Sequence, residues 1–142
     1  MSKTLILAGF AALTSTAAMA QDIGVSMALF DDNFLTVLRN GIQTQADAAG
    51  LSVQIEDAQN DVAKQLDQIN NFIASGVDAI IVNPVDTSAT QAMSDAAAAA
   101  GLPLVYVNRQ PINVDTLPDN QAFVASNEVE SGTLQTIQMC DN

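Results

Sequence analysis

The sequence predicts an α/β fold: an open, doubly wound parallel sheet in the order 2-1-3-4-5, with helices on both faces. Three features carry this expectation. Short apolar runs alternate with longer stretches whose apolar residues recur at helical spacing. The same glycine junction closes three of those stretches, at Ala49-Gly50-Leu51, Ser75-Gly76-Val77 and Ala100-Gly101-Leu102, so one supersecondary unit is used three times. The third and fourth runs are apolar throughout, as strands covered on both faces must be.

Residues 23–29, bounded by Asp22 and Asp31-Asp32, read as a buried first strand. Phe34, Leu35, Val37, Leu38, Ile42, Ala46 and Ala49 then line one side of an amphipathic helix that Gly50 ends. Residues 53–56 alternate in polarity, giving a second strand near a sheet edge. Asp61 is placed to cap a helix carrying Val62, Leu66, Ile69, Phe72 and Ile73, which Gly76 terminates. Residues 79–82 form the third strand and end at Asn83-Pro84. Thr87 or Ser88 opens an alanine-rich helix through Ala100, and residues 104–107 form the fourth strand. Residues 110–121 hold two prolines and read as a loop, residues 123–125 as a short fifth strand, and residues 128–139 as the start of a further helix. Right-handed crossovers between such units give a parallel sheet.

The first residues read differently. Met-Ser-Lys, an apolar run over residues 5–13 and Ala18-Met19-Ala20 have the form of a secretory signal cut after Ala20, with Gln21 as the mature N-terminus. The structural alternative is a buried core helix. No Cys follows the cut, which argues against a lipid anchor, so the chain is expected in the periplasm. What remains, roughly 120 residues, suits one domain. Its bases are Arg39, Lys64 and Arg109 alone, against 16 Asp and Glu; with Lys3 counted, the full sequence has a net charge of −12. Such a chain repels phosphate backbones and anionic lipid, so nucleic acid and membrane insertion are not expected, and a neutral polar ligand is. With no His and a single Cys, Cys140, the chain lacks the parts for an intramolecular disulfide, a zinc site or a Ser-His or Cys-His pair. Neither a metal, a cofactor nor a catalytic residue is predicted, and the protein is not expected to be an enzyme.

Ligands of open parallel sheets meet the carboxyl ends of the strands. There the sequence places Asp31, Asp32, Asn33 and Phe34 after strand one, Asn83 and Asp86 after strand three, Asn108 and Arg109 after strand four, and Ser126, Asn127 and Glu128 after strand five. The candidate ligand-binding residues are Asp31, Asp32, Asn33, Phe34, Asn108, Arg109 and Asn127. A sugar hydroxyl both donates and accepts, so carboxylates can accept from it while Asn or Arg donates, and an aromatic ring covers its C–H face. Plainer roles stand beside these. Asp31, Asp32 or Asn33 can cap the first helix, Phe34 can be core, Asn83 before Pro84 suits a turn, and Asp86 suits a helix cap. Arg109 resists such a reading, since a solvated charge gains nothing directly after a buried strand.

At these residues the sequence resembles the periplasmic sugar-binding proteins of ABC importers, of the ribose, galactose and inositol–rhizopine type. The segments are Phe30-Asp31-Asp32-Asn33-Phe34, Asp57-Ala58-Gln59-Asn60-Asp61 with Lys64-Gln65 and Asp67-Gln68-Ile69, Val82-Asn83-Pro84-Val85-Asp86, Val107-Asn108-Arg109-Gln110-Pro111, and residues 126–132. Each is weak alone; five in chain order are specific. The resemblance implies that Asp32 and Asn108 hold sugar hydroxyls, that Phe34 stacks on the ring and that Arg109 touches the sugar. It also implies that the solute is a neutral monosaccharide or cyclitol, with an inositol or rhizopine favoured by the run over residues 31–40, and that the partner is an ABC permease. Family members have two lobes that close on solute between them. Residues 21–142 resemble the N-terminal lobe alone, of a type I binding protein, which implies a truncated receptor with weak or no binding by itself, from a frameshift or early stop.

Two other α/β functions fail on residues. A phosphoacceptor domain would need an aspartate where Asn83 ends strand three and a lysine after strand five. A dinucleotide-binding enzyme would need a glycine-rich turn after strand one, where Asp31-Asp32 stands.

Overall fold

The computed structural model describes residues 22–140. The proposed signal over residues 1–20, and Gln21, lie outside them. Five strands, β1 (Asp22–Met27), β2 (Ser52–Asp57), β3 (Ala79–Val82), β4 (Leu104–Val107) and β5 (Gln121–Val124), alternate with α1 (Asn33–Ala49), α2 (Val62–Ser75), α3 (Thr90–Ala99) and α4 (Glu128–Cys140). All pairings are parallel and the order is β2-β1-β3-β4-β5, as the sequence predicts. Register follows from burial: Val25 pairs with Ile55 on one side and Ile81 on the other, aligning their apolar side chains on one face.

Side-chain period two divides the core between two faces. Ile80, Val82, Leu104 and Tyr106 meet Ile69 and Phe72 of α2 and Met93 and Ala97 of α3. Val25 and Met27 meet Leu35 of α1, with Val53, Ile55 and Ile81 packed around them. Gly24 belongs to the first face for a steric reason. A Cβ there would stand 2.5 Å from Cγ of Phe72, so the bare backbone lets the ring lie flat on the sheet.

Helix ends obey local chemistry. Asp32 caps α1 by accepting from Leu35 N at 2.8 Å, and Asp61 caps α2 by accepting from Lys64 N at 3.0 Å. Gly50 and Gly76 leave their helices with φ of 70° and 76°, a left-handed geometry that glycine adopts without steric penalty. Asp86 caps, as expected, but the first turn it opens is a 3-10 turn, Thr87–Ala89, before α3 proper. β5 begins at Gln121, two residues earlier than its apolar pattern suggests, because Gln121 is buried and donates to Ser94 O at 2.8 Å. α4 stays helical to Cys140 although its apolar pattern fades, and Val129, Leu134, Ile137 and Met139 on it are all exposed. Among the described residues, no helix is long and apolar enough to cross a membrane.

Candidate ligand-binding site

Parallel pairing brings the exits of β1, β3, β4 and β5 to one edge of the sheet, in that spatial order. What fixes the height of these exits is a buried polar chain beneath them. Gln68 Nε2 donates to Asp57 O at the end of β2 (3.0 Å), and its Oε1 accepts from Ser26 Oγ of β1 at 2.7 Å. Ser26 Oγ accepts in turn from Gln65 Nε2 at 3.1 Å; that nitrogen also donates to Asn83 O at 3.0 Å, while Gln65 Oε1 accepts from Val85 N at 2.8 Å. Asn83 continues the chain across the sheet. Its Oδ1 accepts from Ala28 N (3.3 Å) and its Nδ2 donates to Val107 O (3.2 Å), joining the ends of β1 and β4. Ser26, Gln65 and Asn83 are fully buried and Gln68 nearly so, so each polar atom needs these partners. Asn83 is therefore a bracket between strands rather than the turn residue its proline neighbour suggests.

On this base stand the residues the sequence singles out. Asn108 leaves β4 with φ of 68°, a left-handed conformation that Asn tolerates better than most residues. That turn sends Arg109 back across β3, where Nη1 donates to Pro84 O at 2.8 Å and Val85 O at 3.0 Å. Among the described residues, no carboxylate pairs with Arg109. Asn108 and Asn127 share a hollow of about 480 Å³ with Gln110, Phe123 and Ser126. Asn127 also caps α4, its Oδ1 accepting from Glu130 N at 3.1 Å.

Asp31, Asp32, Asn33 and Phe34 stand exposed at the exit of β1, on the same edge but outside the lining of that hollow. Phe34 is 59 % exposed and so not core. Its neighbour Phe30 is the ring that is partly buried, with the Arg39 guanidinium 4.1 Å above it. Asp32 spends Oδ1 on its helix cap. Asp86, also a cap, has its carboxyl held below the usual range by the hydrogen bond from Ser88. The structure thus gathers Asn108 and Asn127, ties Arg109 to the β3 exit, and sets the Asp31–Phe34 group apart at β1. Sequence reasoning missed Gln110 as a lining residue and missed the buried Ser26, Gln65 and Gln68. Two polar residues three apart on the face of α2 that also carries Ile69 and Phe72 were the available signal. Among the described residues, no group of three His, Cys, Asp or Glu is placed to hold a metal.

An open α/β lobe with exposed polar side chains along the carboxyl edge, on a fully satisfied polar base, has the form of a solute-binding lobe. The chain belongs to the periplasmic binding protein family: residues 23–142 match the periplasmic binding protein domain. It is 64% identical over 141 residues to a "putative rhizopine-binding protein" of Rhizobium meliloti, covering 99% of this chain and 46% of that one. It is 36% identical over 121 residues to the ribose import binding protein of Bacillus subtilis, covering 84% and 38%. Among solved structures it is similar to an ABC transporter solute binding protein from Bacillus halodurans with bound myo-inositol. There the TM-score is 0.70 and the identity 35%, over 81% of this chain and 39% of the other. The chain spans less than half the length of each of these relatives.

Proposed function

We propose that the chain is the N-terminal, first-lobe half of a periplasmic receptor for a neutral monosaccharide or cyclitol, an inositol or rhizopine-like solute being favoured. In this reading it is exported by residues 1–20, cut after Ala20, and delivers solute to an ABC permease. The observation that carries the reading is the placement of polar side chains from the exits of β1, β4 and β5 along one sheet edge. Asp31 and the second oxygen of Asp32 are set to accept from hydroxyls; Asn108, Arg109 and Asn127 are set to donate, and Phe34 to cover a C–H face. The exits of β1 and β4 are two strand spacings apart, about 10 Å, a span that a single ring with hydrogen bonds on either side bridges. The 64% identity to the Rhizobium meliloti relative, and the myo-inositol in the Bacillus halodurans structure, support the choice of solute class. Charge supports neutrality: a chain of net charge −12 disfavours an anionic solute.

One lobe removes water from only one side of a solute, whereas ligand pockets normally bury about 70–90% of it. Affinity in the millimolar range is therefore expected for this chain by itself. An amide and side-chain NMR titration with myo-inositol, ribose and galactose tests this. Shifts should concentrate at Asp32, Phe34, Asn108, Arg109 and Asn127. Saturating titrations that leave all five unmoved would overturn the assignment, and stabilisation of about 4 kcal/mol by micromolar solute would overturn the half-site view.

A further inference from the structure

Arg109 does not set its own position. Its Nη1 rests on the carbonyls of Pro84 and Val85, at 2.8 and 3.0 Å, so the guanidinium sits only as well as that dipeptide does. The dipeptide is held from beneath by one side chain. Gln65 presents Oε1 to Val85 N at 2.8 Å and Nε2 to Asn83 O at 3.0 Å, gripping the backbone on both sides of Pro84. Backbone chemistry fixes the sense of that amide, because Val85 N can only donate and Asn83 O can only accept. The far end of the chain agrees. Asp57 O accepts from Gln68 Nε2, which turns Gln68 Oε1 toward Ser26, so the Ser26 hydroxyl donates to it and accepts from Gln65.

We infer that Gln65 is a positioning residue that presets the Arg109 guanidinium for solute by clamping the Asn83–Val85 backbone. The inference rests on Arg109 meeting solute, as proposed above. Gln65 is fully buried in α2 and so has no surface to offer a solute. An apolar side chain there would fill the space but would leave Val85 N and Asn83 O unpaired, and that segment would move to find partners. A role confined to stability would be shared by the second buried polar cluster, where Ser94, Thr90, Asn113 and Tyr106 bond one another beneath α3 with no link to Arg109.

The chain has two arginines, Arg39 and Arg109, so their guanidinium hydrogens give two resolvable sets of NMR signals, which Arg39→Lys assigns. In the unaltered chain, hydrogen exchange at Arg109 Nη should be about tenfold slower than at Arg39, whose guanidinium lies over the Phe30 ring and, among the described residues, has no carbonyl partner. Gln65→Met should abolish that difference, and so should Gln65→Asn, an amide one methylene too short, which serves if the first variant does not fold. Ser94→Ala, chosen to lower stability through the other cluster, should leave it intact. Retained protection in both Gln65 variants, or equal loss in Ser94→Ala, would overturn the positioning role. Loss confined to the Gln65 variants, with Arg109 unmoved by myo-inositol, ribose and galactose in the unaltered chain, would uphold the clamp and overturn the solute contact.

Discussion

Gly24→Ala is the sharpest test of how this sheet is packed. The added Cβ would stand 2.5, 2.6 and 2.8 Å from Cγ, Cδ2 and Cδ1 of Phe72. Ordinary carbon contacts lie at about 3.5–4.0 Å, so ring and sheet must separate by about 1 Å. Phe72 is 1 % exposed and wedged among Ile69, Val77 and Ile80, which leaves it nowhere to go without displacing them. Overpacking of this kind costs about 1–3 kcal/mol, offset by about 0.4–1 kcal/mol because alanine restricts the unfolded chain. A net loss of about 1–2 kcal/mol follows. With an unfolding entropy of about 2.1 cal/mol/K per residue, the melting temperature should fall by roughly 4–8 °C. Thermal denaturation followed by circular dichroism reads this directly. Phe72→Leu trims the ring and should be destabilising alone, yet combined with Gly24→Ala it should recover part of the loss, giving a coupling of about 1 kcal/mol. Strictly additive effects, or a Gly24→Ala protein as stable as the parent, would refute the steric account.

Asp32→Ala should cost about 1 kcal/mol of stability by removing the α1 cap, whereas Asp32→Asn, which still caps, should hold stability and weaken only solute binding; denaturant midpoints and solute titrations separate the two. Burial pushes the Tyr106 hydroxyl up to about 12 from 10.0, so the folded chain keeps a proton that the unfolded chain releases. Stability from this group is complete below pH 10 and is lost as pH rises to 12, at most about 3 kcal/mol in all; Tyr106→Phe should remove that part of the alkaline slope in urea unfolding. Asn108→Ala should cost about 1–2 kcal/mol at its φ of 68° and Asn108→Gly much less, a difference measurable in thermal midpoints. Phe34→Ala should change stability by under about 0.5 kcal/mol yet diminish solute-induced shifts, since its ring is mostly in water.

The elements were legible because each obeys a local rule. Asp61 and Gly76 mark the two ends of α2 from sequence alone, and the apolar runs of β3 and β4 fall on the observed strands to the residue. β5 was only partly legible, since Gln121 pairs with Leu104 while burying a polar side chain on Ser94 O, which no apolar periodicity announces. Candidate site residues were found through topology: strand exits share an edge once pairing is parallel. How those residues are held was not readable. Gln65 and Gln68 look like ordinary polar helix positions, and only a sheet packed against α2 turns them into the partners of Ser26 and Asn83. Arg109 was legible as unusual, but its anchor on Pro84 and Val85 depends on the reversed turn at Asn108, a backbone property.

The layering of the rim has an evolutionary consequence. Asp31, Asn33 and Phe34 are exposed, while the hydrogen bonds that place the strand exits run one level below, among buried side chains. Mutation can therefore sample new chemistry on top without jeopardising folding, whereas a change to any single member of the lower tier strands its neighbours. If the proposed rim binds solute, those outermost positions are the place to begin when redesigning the lobe, because changing them leaves the lower tier intact.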